Sequence, residues 1–322
     1  MTNVASQSIG PGAVVVAFDV GGTDTKSALI STSGDLIGLT RSPTAHRGTD
    51  TAAAVLEQLA AQRVELARLY PTVIPAAVGM IAPGLVDDDL GVGIHAANLN
   101  WRDAPFKRLL EQSFQLPASF SHDVRAAGEA EFQLGAAHPY RNFVVIVVGT
   151  GIAASLFIDG HAYSAAGFAG ELGHSVVDPN GEPCACGARG CLETVGSAGA
   201  IVRRYFDATG VKPEGAQEVI QGARDGDPVA TRVWNEALDA LALSIAQLTS
   251  VLAPEAVIIG GGLAQAGDEL FAPLRTRVDR LLSFHRRPQI LPALLGENAG
   301  LLGAALRARG ALADTSSDGL SS

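Results

Sequence analysis

The sequence predicts an α/β fold made of two related halves, and two observations carry that reading. A pattern of strand, Gly-Thr turn, strand, glycine turn and strand occurs twice. It runs first through residues 14–20, Gly21-Gly22-Thr23, 26–30, Ser33-Gly34-Asp35 and 36–39. It returns in residues 143–148, Gly149-Thr150-Gly151, 152–158, Asp159-Gly160 and 161–163. The chain of 322 residues also exceeds the roughly 250–300 at which a single core stops growing, so two domains are expected.

Each element has a local reason. The opening strand of each copy is β-branched and almost wholly apolar, as suits a central strand. Residues 51–70 place Val55, Leu59, Leu66 and Leu69 near one helical face. A strand at 76–81 stops at Pro83-Gly84. Residues 123–135 read as a helix with Asp123 near its N-terminus, and the Ala- and Leu-rich stretch 227–252 reads as another. A buried strand at 256–259 runs into Gly260-Gly261-Gly262, and a last helix spans about 300–309. The expected division is an N-terminal domain over 1–122, completed by the C-terminal helix at about 300–312, and a larger C-terminal domain over 123–299. A disordered polar tail is expected over 313–322.

Composition narrows function. Apolar residues make up 47% of the chain and charged ones 17%, which fits a packed soluble protein rather than a disordered one. A net charge of −10 argues against nucleic acid as a partner, because neutralising phosphates needs surplus Lys and Arg. The longest apolar run, 143–148, is far too short to span a membrane, and the N-terminus lacks the basic-then-apolar layout of a signal peptide. The expectation is a cytoplasmic protein with no membrane partner.

The three cysteines, Cys184, Cys186 and Cys191, fall within eight residues. An odd, tightly spaced set reads as metal ligation rather than disulfide bonding. With His174 it makes a closed Cys₃His group, the composition of a structural Zn²⁺ site, and Gly187 and Gly190 let the loop curl. No ligand position stays open, so such an ion fixes a loop and does not activate water.

Phosphate-binding candidates are less specific. There is no Gly-x-x-x-x-Gly-Lys-Ser/Thr, and Gly149-x-Gly151 is followed by a strand, which excludes the common dinucleotide turn. Asp19-x-Gly21-Gly22-Thr23 and Gly149-Thr150-Gly151 can each offer backbone N–H groups and a hydroxyl to phosphate oxygens. Gly260-Gly261-Gly262 would let an adenine or ribose pack on bare backbone. Asp19 closes an apolar strand, where a carboxylate needs a partner, and hydrated Mg²⁺ is a natural one.

Together these residues resemble the ROK family (repressors, open reading frames and sugar kinases). The resemblance rests on Glu171-Leu-Gly-His174 followed by Cys184-Ala-Cys186-Gly-Ala-Arg-Gly-Cys191-Leu-Glu193. Asp19 to Thr23, Pro83-Gly84, Asn98-Leu-Asn-Trp101, Gly149 to Gly151 and Gly260 to Gly262 extend it over most of the chain. It implies an actin-like (ribonuclease H-like) ATPase fold, with two α/β domains around a central cleft. It further implies transfer of the ATP γ-phosphate to a sugar hydroxyl, usually that on C6, with glucose the commonest substrate. By the same resemblance Asp123 matches the catalytic base, and Gly84, Asn98, His122, Glu171, His174 and Glu193 match the sugar side. The nucleotide falls to Asp19, Gly21, Gly22, Thr23, Gly149, Thr150, Gly151, Gly260, Gly261 and Gly262. A homodimer or homotetramer is implied, and some relatives use inorganic polyphosphate as donor.

Chemistry agrees with these roles. Phosphoryl transfer needs in-line positioning, Mg²⁺ and an acceptor for the hydroxyl proton, for which a carboxylate serves. Two departures stand out. His122 replaces the Asn that usually precedes the base, which bears on sugar identity. Asp24 follows Thr23, so Lys26 is as readily a solvent-facing strand residue as a phosphate ligand. The competing readings are an N-acetylmannosamine or N-acetylglucosamine kinase and, in another class, a non-catalytic sugar-sensing regulator. The regulators carry a winged-helix domain ahead of the sugar domain, whereas only 18 residues precede Asp19 in this sequence.

Overall fold

The structure, a computed structural model, describes residues 8–318. The chain forms two compact units. One comprises the chain up to Leu134, Ser164–Phe168 and the chain from Glu297 onward; the other comprises Gly135–Tyr163 and Ala169–Gly296.

In the first unit β1 (Val15–Val20), β2 (Asp24–Ile30) and β3 (Leu36–Pro43) form an antiparallel meander. The chain continues through α1 (Thr51–Leu69), β4 (Ala77–Ala82), the small antiparallel sheet of β5 (Leu85–Asp87), β6 (Val92–Ala96) and β7 (Trp101–Ala104), then α2 (Phe106–Phe114), β8 (Ala118–His122) and α3 (Asp123–Leu134). The main sheet has the order β3-β2-β1-β4-β8, with β4 parallel to β1 and β8 parallel to β4. Alternation along β1 decides its two faces. Val16, Phe18 and Val20 join a core with Leu59 and Leu66 of α1 and Phe106 and Leu110 of α2. The other face, which includes Ala17 and Asp19, lies under the C-terminal helix, Ala299–Asp318.

That helix sits close because glycines remove side chains where backbones meet. A Cβ on Gly79 in β4 would collide with the Ala304 carbonyl, and one on Gly303 would collide with the Ala126 carbonyl of α3. Because α3 packs on the C-terminal helix, the first unit runs through Leu134 and does not end at 122 as the sequence suggested. The C-terminal helix is also longer than expected. It continues through Asp318, so the tail expected from 313 is helical in its first part, and residues 319–322 lie outside the described residues.

The second unit repeats the topology. It contains β9 (Phe143–Val148), β10 (Ile152–Ile158), β11 (His161–Tyr163), α4 (Glu193–Gly196), α5 (Ala198–Thr209), α6 (Ala216–Arg224), α7 (Pro228–Leu252), β12 (Ala256–Gly260), α8 (Asp268–Leu281) and β13 (Gln289–Pro292). Its sheet has the order β11-β10-β9-β12-β13, with the same strand senses as the first. The repeat visible in the sequence is therefore a repeat of strand order. Asp227 caps α7 by accepting the Val229 and Ala230 N–H groups at 2.8 and 3.1 Å, with Pro228 at the first helical position. The buried face of α7, including Val233, Trp234, Leu238, Leu241 and Ile245, covers the sheet core of Val144, Ile146 and Val257. Among the described residues no helix is long and apolar enough to cross a membrane.

Gly303 and Gly310 lie on one helix and separate packing from propensity. Gly303→Val should lower stability in urea unfolding by about 1–3 kcal/mol or more, because its side chain has no room. Gly310→Ala, in open space, should be neutral or stabilising by up to about 1 kcal/mol.

Candidate functional site

The first unit gathers a glycine turn, two carboxylates and an asparagine. The turn Gly21-Gly22-Thr23 joins β1 to β2. The Gly21 N–H donates to the Asp24 carbonyl at 2.9 Å, the Thr44 hydroxyl donates to the Gly21 carbonyl at 2.8 Å, and His46 Nε2 donates to the Gly22 carbonyl at 3.1 Å. The Asn98 amide lies against Gly22, and a Cβ there, within 2.7 Å of Nδ2, would push that amide away. Leu99 and Trp101 are buried while Asn98 stays exposed, so the Asn-Leu-Asn-Trp segment anchors itself through alternate residues and leaves its first amide accessible. Gly84 has φ +104°, and a Cβ there would meet the His95 carbonyl, so its visible role is to let the chain turn into β5.

Asp19 is paired with Lys26 on β2 and Ile81 on β4. Burial pushes its carboxyl up to about 6, the negative charge of Asp123 adds to the rise, and Lys26 and Arg41 work against it. Gly300 of the C-terminal helix faces this carboxyl, and a Cβ there would crowd Ile81 Cδ1 at 2.8 Å and touch Asp19 Oδ2 at 3.4 Å. Lys26 is not a freely solvated strand residue: its ammonium donates to the Glu297 carbonyl at 2.5 Å and is 3.8 Å from the Glu297 carboxylate, which also holds Arg41 at 2.8 Å.

Asp123 is the first residue of α3, and its side chain is 32% exposed. The Val124 N–H is shared between Asp123 Oδ1 at 2.7 Å and His122 Nδ1 at 3.2 Å. The buried His122 ring therefore caps the start of α3, and in its neutral form it carries the proton on Nε2.

The strand-to-helix junction that carries Asp123 is held by Asp88, Ser121, Arg125 and Arg307, none of them in the sequence motifs. Asp88 Oδ1 accepts the His122 N–H at 3.1 Å and Oδ2 accepts the Ser121 hydroxyl at 3.0 Å. Arg125 binds both oxygens of Asp88 at 3.0 Å and also donates to the Val86 carbonyl, and Arg307 of the C-terminal helix approaches Oδ2 at 3.2 Å. Burial opposes the charge on Asp88, but Arg125, Arg307 and the His122 amide outweigh it and hold the carboxyl below the ordinary range. The available signal was Arg125 itself, which falls on the inward face of a helix and so requires an acidic partner.

In the second unit Gly149-Thr150-Gly151 joins β9 to β10. The Gly149 N–H donates to the Gly151 carbonyl at 2.9 Å, and the Ala198 N–H at the start of α5 donates to the Gly149 carbonyl at 2.9 Å. Gly261 has φ +83° and no space for a Cβ against the Val148 backbone. Since β9 and β12 are parallel neighbours, the 149–151 and 260–262 turns leave the same edge side by side.

The loop from Glu171 to Glu193 lies against β10, where Gly170 and Gly173 approach the carbonyls of Ala154 and Ile152. Ligand atoms of His174, Cys184, Cys186 and Cys191 all lie within 4.8 Å of one another. His174 Nδ1 is 3.6 Å from Cys184 Sγ, and Cys186 Sγ is 3.6 Å from Cys191 Sγ. Tetrahedral Zn–S bonds of about 2.3 Å require ligand separations of roughly 3.8 Å, so this group fits zinc. Gly190 makes the closure possible: at φ +72° its missing Cβ would overlap the Asp178 carbonyl. Glu193 Oε2 accepts the Ile152 N–H at 2.8 Å, so part of its carboxylate is already engaged within the protein.

A model of the ROK family matches residues 15–311. A glucokinase from Halalkalibacterium halodurans is 32% identical, with 89% of this chain and 92% of that protein covered. The ROK hexokinase of Thermus thermophilus superimposes with a TM-score of 0.80 at 31% identity, covering 94% of this chain and 99% of the other. A ROK family glucokinase from Streptomyces griseus, solved with glucose and AMPPNP, gives a TM-score of 0.78 at 30% identity, with 92% and 99% covered.

The raised Asp19 carboxyl has a thermodynamic consequence. Its pKa is raised on folding, so its stabilising contribution is complete below about pH 4 and is lost as pH rises through about 6. Asp19→Asn should therefore raise the melting temperature of the metal-free protein at pH 8, by the equivalent of at most about 3 kcal/mol, and leave it nearly unchanged near pH 4. A variant less stable than wild type at pH 8 would contradict this.

Proposed function

Because the chain belongs to the ROK family, we propose that it transfers the γ-phosphate of ATP to the 6-hydroxyl of a hexose, glucose being the favoured substrate. It is an ATP-dependent sugar kinase with the actin-like ATPase fold, a phosphotransferase that acts on an alcohol group. The observation that carries the residue assignment is Asp123, a partly exposed carboxylate at the clamped start of α3, whose negative charge helps to raise the carboxyl of Asp19.

In this reading Asp123 accepts the proton of the sugar hydroxyl as its oxygen forms a bond to the γ-phosphorus. The bond from that phosphorus to the β–γ bridging oxygen breaks, and ADP leaves. Asn98, His122, Glu171, His174 and Glu193 orient sugar hydroxyls, and Gly84 shapes the backbone beside them. Gly21 to Thr23 and Gly149 to Gly151 offer N–H groups and hydroxyls to the phosphates, and Gly260 to Gly262 give the adenosine a side-chain-free surface. Asp19 is the residue suited to hold hydrated Mg²⁺, which supplies charge neutralisation at the phosphates when bound. Zinc at His174, Cys184, Cys186 and Cys191 fixes the loop that presents Glu171 and Glu193. A cytoplasmic setting and a homodimeric or homotetrameric assembly belong to the same proposal, supported by the family resemblance.

An ADP-release assay over hexoses and N-acetylhexosamines tests this. Glucose should give the highest kcat/KM, and Asp123→Asn should lower kcat about 10²–10⁴-fold with a smaller change in the KM for glucose. A preference for N-acetylmannosamine or N-acetylglucosamine would move the assignment to a hexosamine kinase. Glucose binding without turnover would indicate a sensor, and full activity in the variant would remove Asp123 as the base.

A further inference from the structure

We propose that Glu193 is a positioning residue for the nucleotide, acting on the Gly149-Thr150-Gly151 turn from the metal-closed loop, whatever contact it also makes with sugar. This rests on the reading of that turn as a phosphate site.

Three contacts hold the turn, and Glu193 makes the one at its exit. Its Oε2 accepts the Ile152 N–H at 2.8 Å. The same oxygen occupies the space that a Cβ on Gly151 would need, so a side chain at 151 would displace the Glu193 carboxylate. The other two contacts come from the start of α5. The Ala198 N–H donates to the Gly149 carbonyl at 2.9 Å, and Gly199 lies so close that an added Cβ would be 2.7 Å from the Thr150 carbonyl. With Ile152 and Gly149 engaged, the amides of Thr150 and Gly151 have no acceptor among the described residues and remain for a ligand.

A carboxylate beside a phosphate-binding turn is electrostatically unfavourable for the ligand, because like charges repel. Its presence is explained by geometry: a charge-assisted hydrogen bond to a backbone N–H fixes the turn more strongly than a neutral acceptor would. The position of Glu193 is in turn set by the loop. Cys191 lies two residues earlier, is buried and bridges Val176, and the Leu192 N–H donates to the Ser175 carbonyl at 2.8 Å, immediately after His174. The Thr194 hydroxyl donates back to the Cys191 carbonyl at 2.7 Å. A short covalent and hydrogen-bonded path thus runs from the Cys₃His group through Cys191 and Glu193 to the amide of Ile152.

The test uses the zinc-loaded full chain and measures AMPPNP affinity by calorimetry with Mg²⁺ and without sugar. Hydrogen exchange at the Ile152 amide and zinc content are measured alongside. Glu193→Ala should weaken AMPPNP at least 10-fold and speed Ile152 exchange by a similar factor. Glu193→Gln, which keeps an acceptor oxygen, should weaken AMPPNP only about 2–3-fold. If Glu193→Ala loses zinc, the graded effect in Glu193→Gln with zinc retained decides. Unchanged AMPPNP affinity and Ile152 protection in both variants, with only glucose binding weakened, would overturn the positioning role and leave the kinase reading intact. A wild-type protein that binds no AMPPNP would overturn both.

Discussion

Three thiols and an imidazole held within 4.8 Å of one another impose a condition on the second unit. Burial first, and then the neighbouring Cys184 and Cys186 thiols, push the Cys191 thiol up to about 12, so without a cation this thiol stays protonated. A cation changes that balance: three thiolates and a neutral histidine become favourable around it, and the free energy of binding becomes free energy of folding for the loop. What depends on the loop is more than its own shape. Glu171 precedes His174 by one 3₁₀ turn, and Glu193 follows Cys191 by two residues and reaches the turn between β9 and β10. The carboxylates assigned to sugar and the turn assigned to phosphate are thus tied to one closed ring of ligands.

The first unit solves a different problem, that of placing carboxylates in an apolar environment. Asp88 is ionised because Arg125 grips it through both oxygens and Arg307 adds a second cation. Such a pair contributes little net stability but is costly to break, which suits a clamp on the junction that presents Asp123. Asp19 has no such grip, and burial raises it into the range where it can change protonation near neutral pH. One acid is satisfied by protein cations and fixes geometry. The other lies beside a glycine turn, where burial and the charge of Asp123 hold its carboxyl raised.

The legibility of these features in the sequence follows from where their partners lie. Zinc ligands close one loop, so Cys184, Cys186 and Cys191 had to fall close together, and the glycines between them were visible signs of the curl. The central strands were legible because burial on both faces leaves β9 wholly apolar and β1 apolar but for Asp19. Asp88 was not legible. Its partner Arg125 is 37 residues away, and an Asp-Asp-Asp run reads as a solvated turn. The membership of α3 in the first unit was hidden for the same reason, because it is decided by Gly303 far along the chain. His122 shows a contact the sequence does not signal: its ring Nδ1 accepts the Val124 N–H at the head of α3.

The claim on which this picture rests most heavily is that a metal closes the loop carrying Glu171 and Glu193. Zinc K-edge absorption on protein purified without chelator tests it directly. The expected result is about one zinc per chain in a shell of three sulfurs at about 2.3 Å and one nitrogen at about 2.0–2.1 Å. Less than about half a zinc per chain, or a shell dominated by oxygen, would contradict it.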